Sequence, residues 1–341
     1  MRNLKELTIL VPSFDRPHFL KRLLSYWSGR GPKIIVADGS ARPIDSNSLS
    51  CLKSNIEYHH LRNLEVQKRI SFLVSRAKSK YTMLHADDEF FMPSSLNTQI
   101  EYLECQDDLI ACMGHSIAFK ALDQYLISNI VYPELINYEI NADFSHDRMV
   151  FHMKHYSPSL IYSVAKTEFW KAAFKLATNG KKFSFWAGGE ILVEMALAYL
   201  GKSKVINTLG WLRSKENKRI EGKQAHERHS SRFTTWWESA EMENERELFI
   251  QLFAEKMSAV DGRPISVIKE EAWEGLNSYY GFSKNYHAGK HWFNRPETTV
   301  EPITDLAEKL VGSGVSVNLE ELQEIKQIVM EFHSKTFAKA G

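Results

Sequence analysis

Cysteine is scarce: Cys51, Cys105 and Cys112 are the only three in 341 residues, an odd total with no C-x-x-C spacing. That argues against a disulfide framework and a structural zinc site, and it fits a reducing cytosol. An excess of either charge is also missing. The 43 Lys and Arg against 42 Asp and Glu leave a formal net charge of +1, whereas a dedicated nucleic-acid binder carries a clear basic excess. No run approaches the roughly 18 apolar residues that span a bilayer. Met1–Leu7 leads into the first apolar run without a signal-like stretch. Repeats and low-complexity segments are absent. The expectation is a cytoplasmic protein, with the inner face of a membrane as the place for any peripheral contact.

What is present is an ordinary globular composition, 43% apolar and 25% charged, long enough for one large α/β domain with an appendage or for two domains. Leu7–Val11 and Lys33–Ala37 are short, apolar, β-prone runs of the kind buried in parallel sheets. Between them Phe19, Leu20, Leu23, Leu24 and Trp27 recur at helical spacing. This predicts a helix over residues 16–28, with Asp15 as N-cap and Pro17 in its first turn. Ile56–Leu61 predicts a third strand, Gln67–Lys80 a helix, Tyr81–Ala86 a fourth strand, and the residues after Pro93 another helix. Such alternation predicts a mainly parallel, Rossmann-like sheet flanked by helices, with its ligand crevice at the carboxyl ends of the strands. Further on, strand-like pieces at 110–119 and 160–164 precede a helix capped by Thr167, an apolar helix over 191–200 and a short strand at Lys204–Ile206. A basic loop covers 213–232. Helical, charge-rich sequence follows, so the division expected is 1–232 for the main domain and 233–341 for a helical C-terminal region. The Thr167 helix mixes aromatics with lysines; it either touches a membrane or packs on the core with solvated lysines, and the second reading is favoured.

The chain is organised around Tyr81–Pro93, where a buried strand ends in Asp87, Asp88 and Glu89. Three adjacent carboxylates repel one another, and hard oxygen ligands suit Mg²⁺ or Mn²⁺ with a substrate phosphate completing the shell. Taken alone, the triplet favours a solvated acidic turn. Ser13 and Asp38 sit at two other strand ends, Lys68 and Arg69 near a helix start. Glu190 follows Gly188-Gly189 at the head of the apolar helix, with Glu194 one turn further on the same face.

The order of these landmarks resembles the family 2 glycosyltransferases of the GT-A fold over residues 5–213. It rests on Val11-Pro12-Ser13-Phe14-Asp15-Arg16-Pro17, Val36-Ala37-Asp38-Gly39-Ser40, Lys68-Arg69, Leu84-His85-Ala86-Asp87-Asp88 and Gly188-Gly189-Glu190. The resemblance implies that Pro12, Ser13, Asp15, Arg16 and Asp38 contact the base and ribose of a nucleoside-diphosphate sugar, supported by Lys68 or Arg69. It implies that Asp87 and its neighbours hold the metal–diphosphate, and that Glu190, or failing it Glu194, is the general base of an inverting transfer to a glycan or glycolipid hydroxyl. A uridine-linked donor and polysaccharide biosynthesis are the corresponding expectations. His85 departs from the pattern, standing where the first acid of the D-x-D-like segment belongs, and Ile191 replaces the second acid of the family's E-D pair. Trp186 and Trp211 offer ring faces to a sugar, with a core position favoured for each; Arg213, His226 and His229 are within reach of a diphosphate in sequence terms only. The other readings are a sugar-1-phosphate nucleotidyltransferase, against which stands the lack of a Gly-rich basic loop after the first strand, and a non-catalytic transferase-like domain that binds a glycan or a protein.

Overall fold

The structure is a computed structural model that describes residues 3–185, 187–217, 232–288 and 300–337. Four parallel strands form its centre: β1 (Leu7–Ser13), β2 (Lys33–Asp38), β3 (Ile56–His60) and β4 (Tyr81–Leu84), in the order β3-β2-β1-β4. Every residue of β4 and nearly all of β1 and β2 are buried. This is why these strands are continuous apolar runs rather than alternating ones. Helix α1 (Pro17–Trp27) buries Leu20, Leu23, Leu24 and Trp27, as its spacing predicts. β1 connects to β2 through α1, and β2 to β3 through the short helix α2 (Ser46–Ser50). Because β1, β2 and β3 advance one way and β4 lies on the other side of β1, the topological switch point falls between β1 and β4.

Beyond β4 the sheet turns mixed. β9 (Val164–Lys166) pairs antiparallel to both β4 and β6 (Leu109–Leu122), and β6 continues into the hairpin partner β7 (Tyr125–Ile130). β10 (Lys202–Ser214) runs parallel to β6 and antiparallel to β5 (Phe90–Phe91) and β8 (Glu139–Ile140). Helices α3 (Val66–Arg76), α4 (Pro93–Cys105), α5 (Ser145–Lys154), α6 (Thr167–Ala177) and α7 (Gly188–Leu200) cover the faces. The α/β fold with a parallel core is the one expected. The C-terminal helices Glu243–Asp261, Ile265–Ala288, Ile303–Gly312 and Leu319–Phe337 form the helical region, and Glu301–Pro302 adds an edge strand to β7.

Three local expectations are corrected. Asp15 is not an N-cap: it adopts φ 53°, Arg16 precedes the helix, and the Asp15 N–H donates to Ser40 Oγ at 2.9 Å. Thr167 is inside α6, its hydroxyl sharing a 2.7 Å hydrogen bond with Thr82. The strand placed at 160–164 begins only at Val164, because Leu160–Ser163 form a turn closed by Ser163 N–H donating to the Leu160 carbonyl. On α6, Trp170 and Phe174 are buried and stacked with centroids 3.8 Å apart, so its aromatic face belongs to the core. Among the described residues no helix is long and apolar enough to cross a membrane.

Candidate active site

β1 outlasts β4. Leu10 is the last β1 residue paired with β4, opposite Leu84, while Val11, Pro12 and Ser13 continue against β2. A gap therefore opens between the carboxyl ends of β1 and the segment after β4. Ser13 Oγ donates across it to Asp87 Oδ2 at 2.7 Å, and Arg16 Nη1 donates to Asp87 Oδ1 at 3.2 Å. The same Arg16 nitrogen lies 3.7 Å from Asp88 Oδ1. Asp87 is 4% exposed, and burial pushes its carboxyl up to about 6 against the opposing pull of the Ser13 hydrogen bond and the Arg16 charge.

Asp38 is placed differently from a free ligand-binding acid. It is 1% exposed; Oδ1 accepts from the Ser40 N–H at 2.9 Å and from the Ser40 hydroxyl, and Oδ2 accepts from Tyr58 at 2.7 Å. Its side chain builds the turn after β2. Gly39 lets Arg69 in: a Cβ there would stand 2.8 Å from Arg69 Nε. Arg69 in turn ties Ser13 and Leu64 together through their carbonyls and lies 5.4 Å beneath the half-exposed ring of Phe14. Asp15 is exposed and Pro12 half-buried beside this cleft, whereas the exposed Lys68 lines a separate groove with Glu65, Thr178 and Lys182.

His85 is a core residue. It is fully buried, its Nδ1 donates to the Ala86 carbonyl at 2.6 Å, and its Nε2 accepts from Trp27 Nε1 at 3.3 Å. Burial lowers it to about 4, so the ring is a neutral strut and has no side-chain atom to offer a ribose.

The three acids face different ways. Asp87 turns to Ser13 and Arg16. The Asp88 carboxylate accepts from Asn217, and its carbonyl accepts from Arg22 Nη2 at 2.8 Å. Glu89 accepts from Trp211 Nε1 at 2.7 Å and lies 3.9 Å from Arg213 Nε. Burial, reinforced by the charge of Asp88, pushes the Glu89 carboxyl up to about 8. Among the described residues no three His, Cys, Asp or Glu groups are arranged to hold a metal ion. The Mg²⁺ or Mn²⁺ site expected at Asp87, Asp88 and Glu89 is thus not met by this donor set. A guanidinium bridges the two aspartates, and the third carboxyl is directed to an indole and Arg213.

Across the cleft α7 carries Glu190 and Glu194 one turn apart, and both turn towards α5. The half-buried Glu190 accepts from the Tyr156 hydroxyl at 2.6 Å. Burial raises its carboxyl; the Tyr156 hydrogen bond opposes this, Glu194 adds to it and Arg213 opposes it. Glu194 is fully buried and filled: it accepts from His152 Nε2 at 2.9 Å and from the N–H groups of Leu160 at 3.3 Å and Ile161 at 3.0 Å. It shapes the 160–163 turn and, of the two α7 carboxylates, is the one with its acceptors filled. Arg213 links the two halves, near Glu89 and Glu190 at once, its guanidinium over the rings of Tyr132 and Trp211. Tyr132 holds φ 56° in the left-handed region, costly for an aromatic residue, and stacks on Trp211 with centroids 5.7 Å apart. Trp211 is buried and so occupies the core position favoured for it. Trp186, His226 and His229 lie outside the described residues.

Sequence reasoning missed Tyr156 and Arg22. Arg22 is buried, pairs with Glu216 at 2.7 Å and is enclosed by Phe19, Phe90 and Phe332. An arginine on the apolar face of α1 was the available signal. For Tyr156 the signal was weaker: His152 and Tyr156 repeat the four-residue spacing of Glu190 and Glu194.

No protein-family model matches the sequence, and no curated protein matches it. Among solved structures, residues 1–349 of S. aureus TarS superpose with TM-score 0.45 at 11% identity, over 84% of this chain and 92% of that one. The same fragment in complex with UDP-GlcNAc gives TM-score 0.45 at 11% identity, over 84% and 93%. A longer TarS structure gives TM-score 0.44 at 12% identity, over 82% of this chain and 55% of that one. Likeness at this level assigns no residue and no substrate.

Proposed function

We propose that this protein is a glycosyltransferase that moves a sugar from a nucleoside-diphosphate donor, uridine-linked, to a hydroxyl of a glycan or glycolipid. The observation supporting it most is the junction of Ser13, Arg16 and Asp87 at the switch point between β1 and β4, where open α/β sheets bind nucleotides. Phe14 offers the base an exposed aromatic face, and Asp15 offers a carboxylate to base or ribose donors. Arg16 offsets diphosphate charge. Glu190 takes the proton from the acceptor hydroxyl as that oxygen bonds to the anomeric carbon. The bond from that carbon to the diphosphate oxygen breaks on the opposite face, so configuration inverts and the nucleoside diphosphate leaves with the electron pair. Asp38, Arg69 and Glu194 shape the site from behind. The division into 1–232 and 233–341 belongs to this reading, with the C-terminal helices shaping the acceptor side.

Thermal melting with UDP or UDP-GlcNAc tests the donor site. A ligand at about a hundred times its Kd stabilises by roughly 2.7 kcal/mol, a rise of a few degrees, and Asp87→Asn should abolish it. Titrations with and without Mn²⁺ decide the metal question: a rise that appears only with Mn²⁺ would return Asp87 and Asp88 to a ligand role. No rise with uridine, guanosine or thymidine diphosphates would sink the transferase reading. Glu190→Gln should keep the nucleotide-induced rise while transfer falls about 10²–10⁴-fold, the usual worth of a general base.

A further inference from the structure

Two carboxylates on α7 meet two side chains from the end of α5 in parallel rungs. Tyr156, just beyond α5, donates to Glu190 at 2.6 Å; His152, in its last turn, donates to Glu194 at 2.9 Å. The rungs brace each other, with the His152 and Tyr156 rings 5.7 Å apart and the Tyr138 hydroxyl donating to His152 Nδ1 at 2.7 Å. Tyr156 is fixed from the far side as well. Tyr279 and Phe282, on helix Ile265–Ala288, pack against its ring at 5.0 and 6.0 Å.

Resting on the reading of Glu190 as base, we propose that Tyr156 is its positioning residue. Its hydroxyl aims the Glu190 carboxylate into the cleft and holds it in the ionised, proton-accepting form. The physical reason is that a donor to a carboxylate favours the charged state, and hydrogen bonds to charged groups are about twice as strong as neutral ones. Burial acts the other way, as does Glu194 on the same helix, while Arg213 from β10 assists Tyr156. Among the described residues, Tyr132, Tyr162 and Tyr279 are the other titratable groups that interact electrostatically with Glu190. Without the phenol, burial and Glu194 are opposed, among the described residues, by Arg213, and the base is protonated at higher pH. The rung below has a different job: Glu194 is saturated by backbone N–H groups and does not face the reaction.

The test is a carbon-13 carboxyl titration of the full chain labelled at glutamate, with Glu190→Gln identifying the Glu190 resonance. Tyr156→Phe keeps the ring and removes one oxygen; the Glu190 midpoint should move upward. Site-specific 3-fluorotyrosine at 156, a stronger donor of nearly native shape, should move it downward, and this arm still decides should Tyr156→Phe fail to fold. A midpoint unmoved by the fluorinated residue overturns the proposal. In transfer or donor-hydrolysis assays, Tyr156→Phe should lose about tenfold in kcat at pH 6 and recover most of it at alkaline pH, with donor KM unchanged. A merely structural role would lower Tm without moving the acidic limb. The two ideas fail separately: full activity of Glu190→Gln removes the base assignment, whereas the midpoint reports on Tyr156 whether or not Glu190 is the base.

Discussion

The sheet end of the cleft, at β1, β2 and β4, which we propose as the nucleotide side, and the region between α5, α7 and β10, which we propose as the transfer side, each contain a carboxylate whose acceptors are filled and one with capacity to spare. On the nucleotide side Asp38 is filled by Ser40, two residues away, and by Tyr58, twenty away. On the transfer side Glu194 is filled by groups 33, 34 and 42 residues away. Asp87 and Glu190, the proposed donor-site acid and base, are their counterparts. Burial pushes both up, and each is held by a hydroxyl, Ser13 for one and Tyr156 for the other. The pairing of a locked acid with an adjustable one recurs because rigid support and a tunable proton affinity are different demands on the same functional group.

The largest effect should come from breaking the long-range lock. Glu194→Ala strands His152 and two buried N–H groups, and removing one partner of a buried network of this kind costs about 3–5 kcal/mol. Asp38→Ala should cost about 1–2 kcal/mol, since it frees a serine and a partly exposed tyrosine that water can still reach. Denaturant titration of both variants checks the order. A larger loss for Asp38→Ala would break the comparison, showing the nucleotide side to be the more dependent on its buried acid.

The same contrast explains how much was legible. The parallel half follows from local pattern: apolar runs long enough for one strand each, Pro17 at a helix start, Asp38-Gly39-Ser40 closing its own turn. Ser13, Asp87 and Glu190 were picked out because a strand end or helix start places them. What escaped was whatever depends on partners distant in sequence. The D-D-E triplet looked like one metal site, yet Glu89 departs towards Trp211, 122 residues on, and no local pattern announces that. His85 stood out as a replacement for the first acid of the D-x-D-like segment; its partner Trp27, 58 residues earlier, makes it a strut. The strand predicted at 160–164 became a turn because Glu194 collects its N–H groups.

A middle-sized effect concerns Glu89. Its folded value of about 8 lies above the ordinary 4.5, so the folded state binds the extra proton between those values. Stability is therefore fully present below the ordinary value and lost as pH rises towards 8. Glu89→Gln keeps an oxygen for Trp211 and cannot ionise. The wild type should lose a few degrees in Tm relative to this variant between pH 5 and pH 8.5. Parallel melting curves would refute the buried, proton-holding carboxyl and bring Glu89 back beside Asp87 as an ionised acid.

The smallest effect isolates the indole contact. Trp211→Phe keeps a ring between Tyr132 and Phe91, with which Trp211 stacks at 5.7 and 6.1 Å, but removes the donor to Glu89. Combined with Glu89→Gln in a double-mutant cycle, it should show a coupling of about 1 kcal/mol at pH 6. The coupling should grow at pH 9, because a donor to an ionised carboxylate is worth more than one to a neutral acid. In wild type at that pH the indole has an anion to serve; in Glu89→Gln it never does. A coupling independent of pH would mean that Glu89 keeps one charge state throughout, and its contact with Trp211 would then be a fixed hydrogen bond rather than a tunable one.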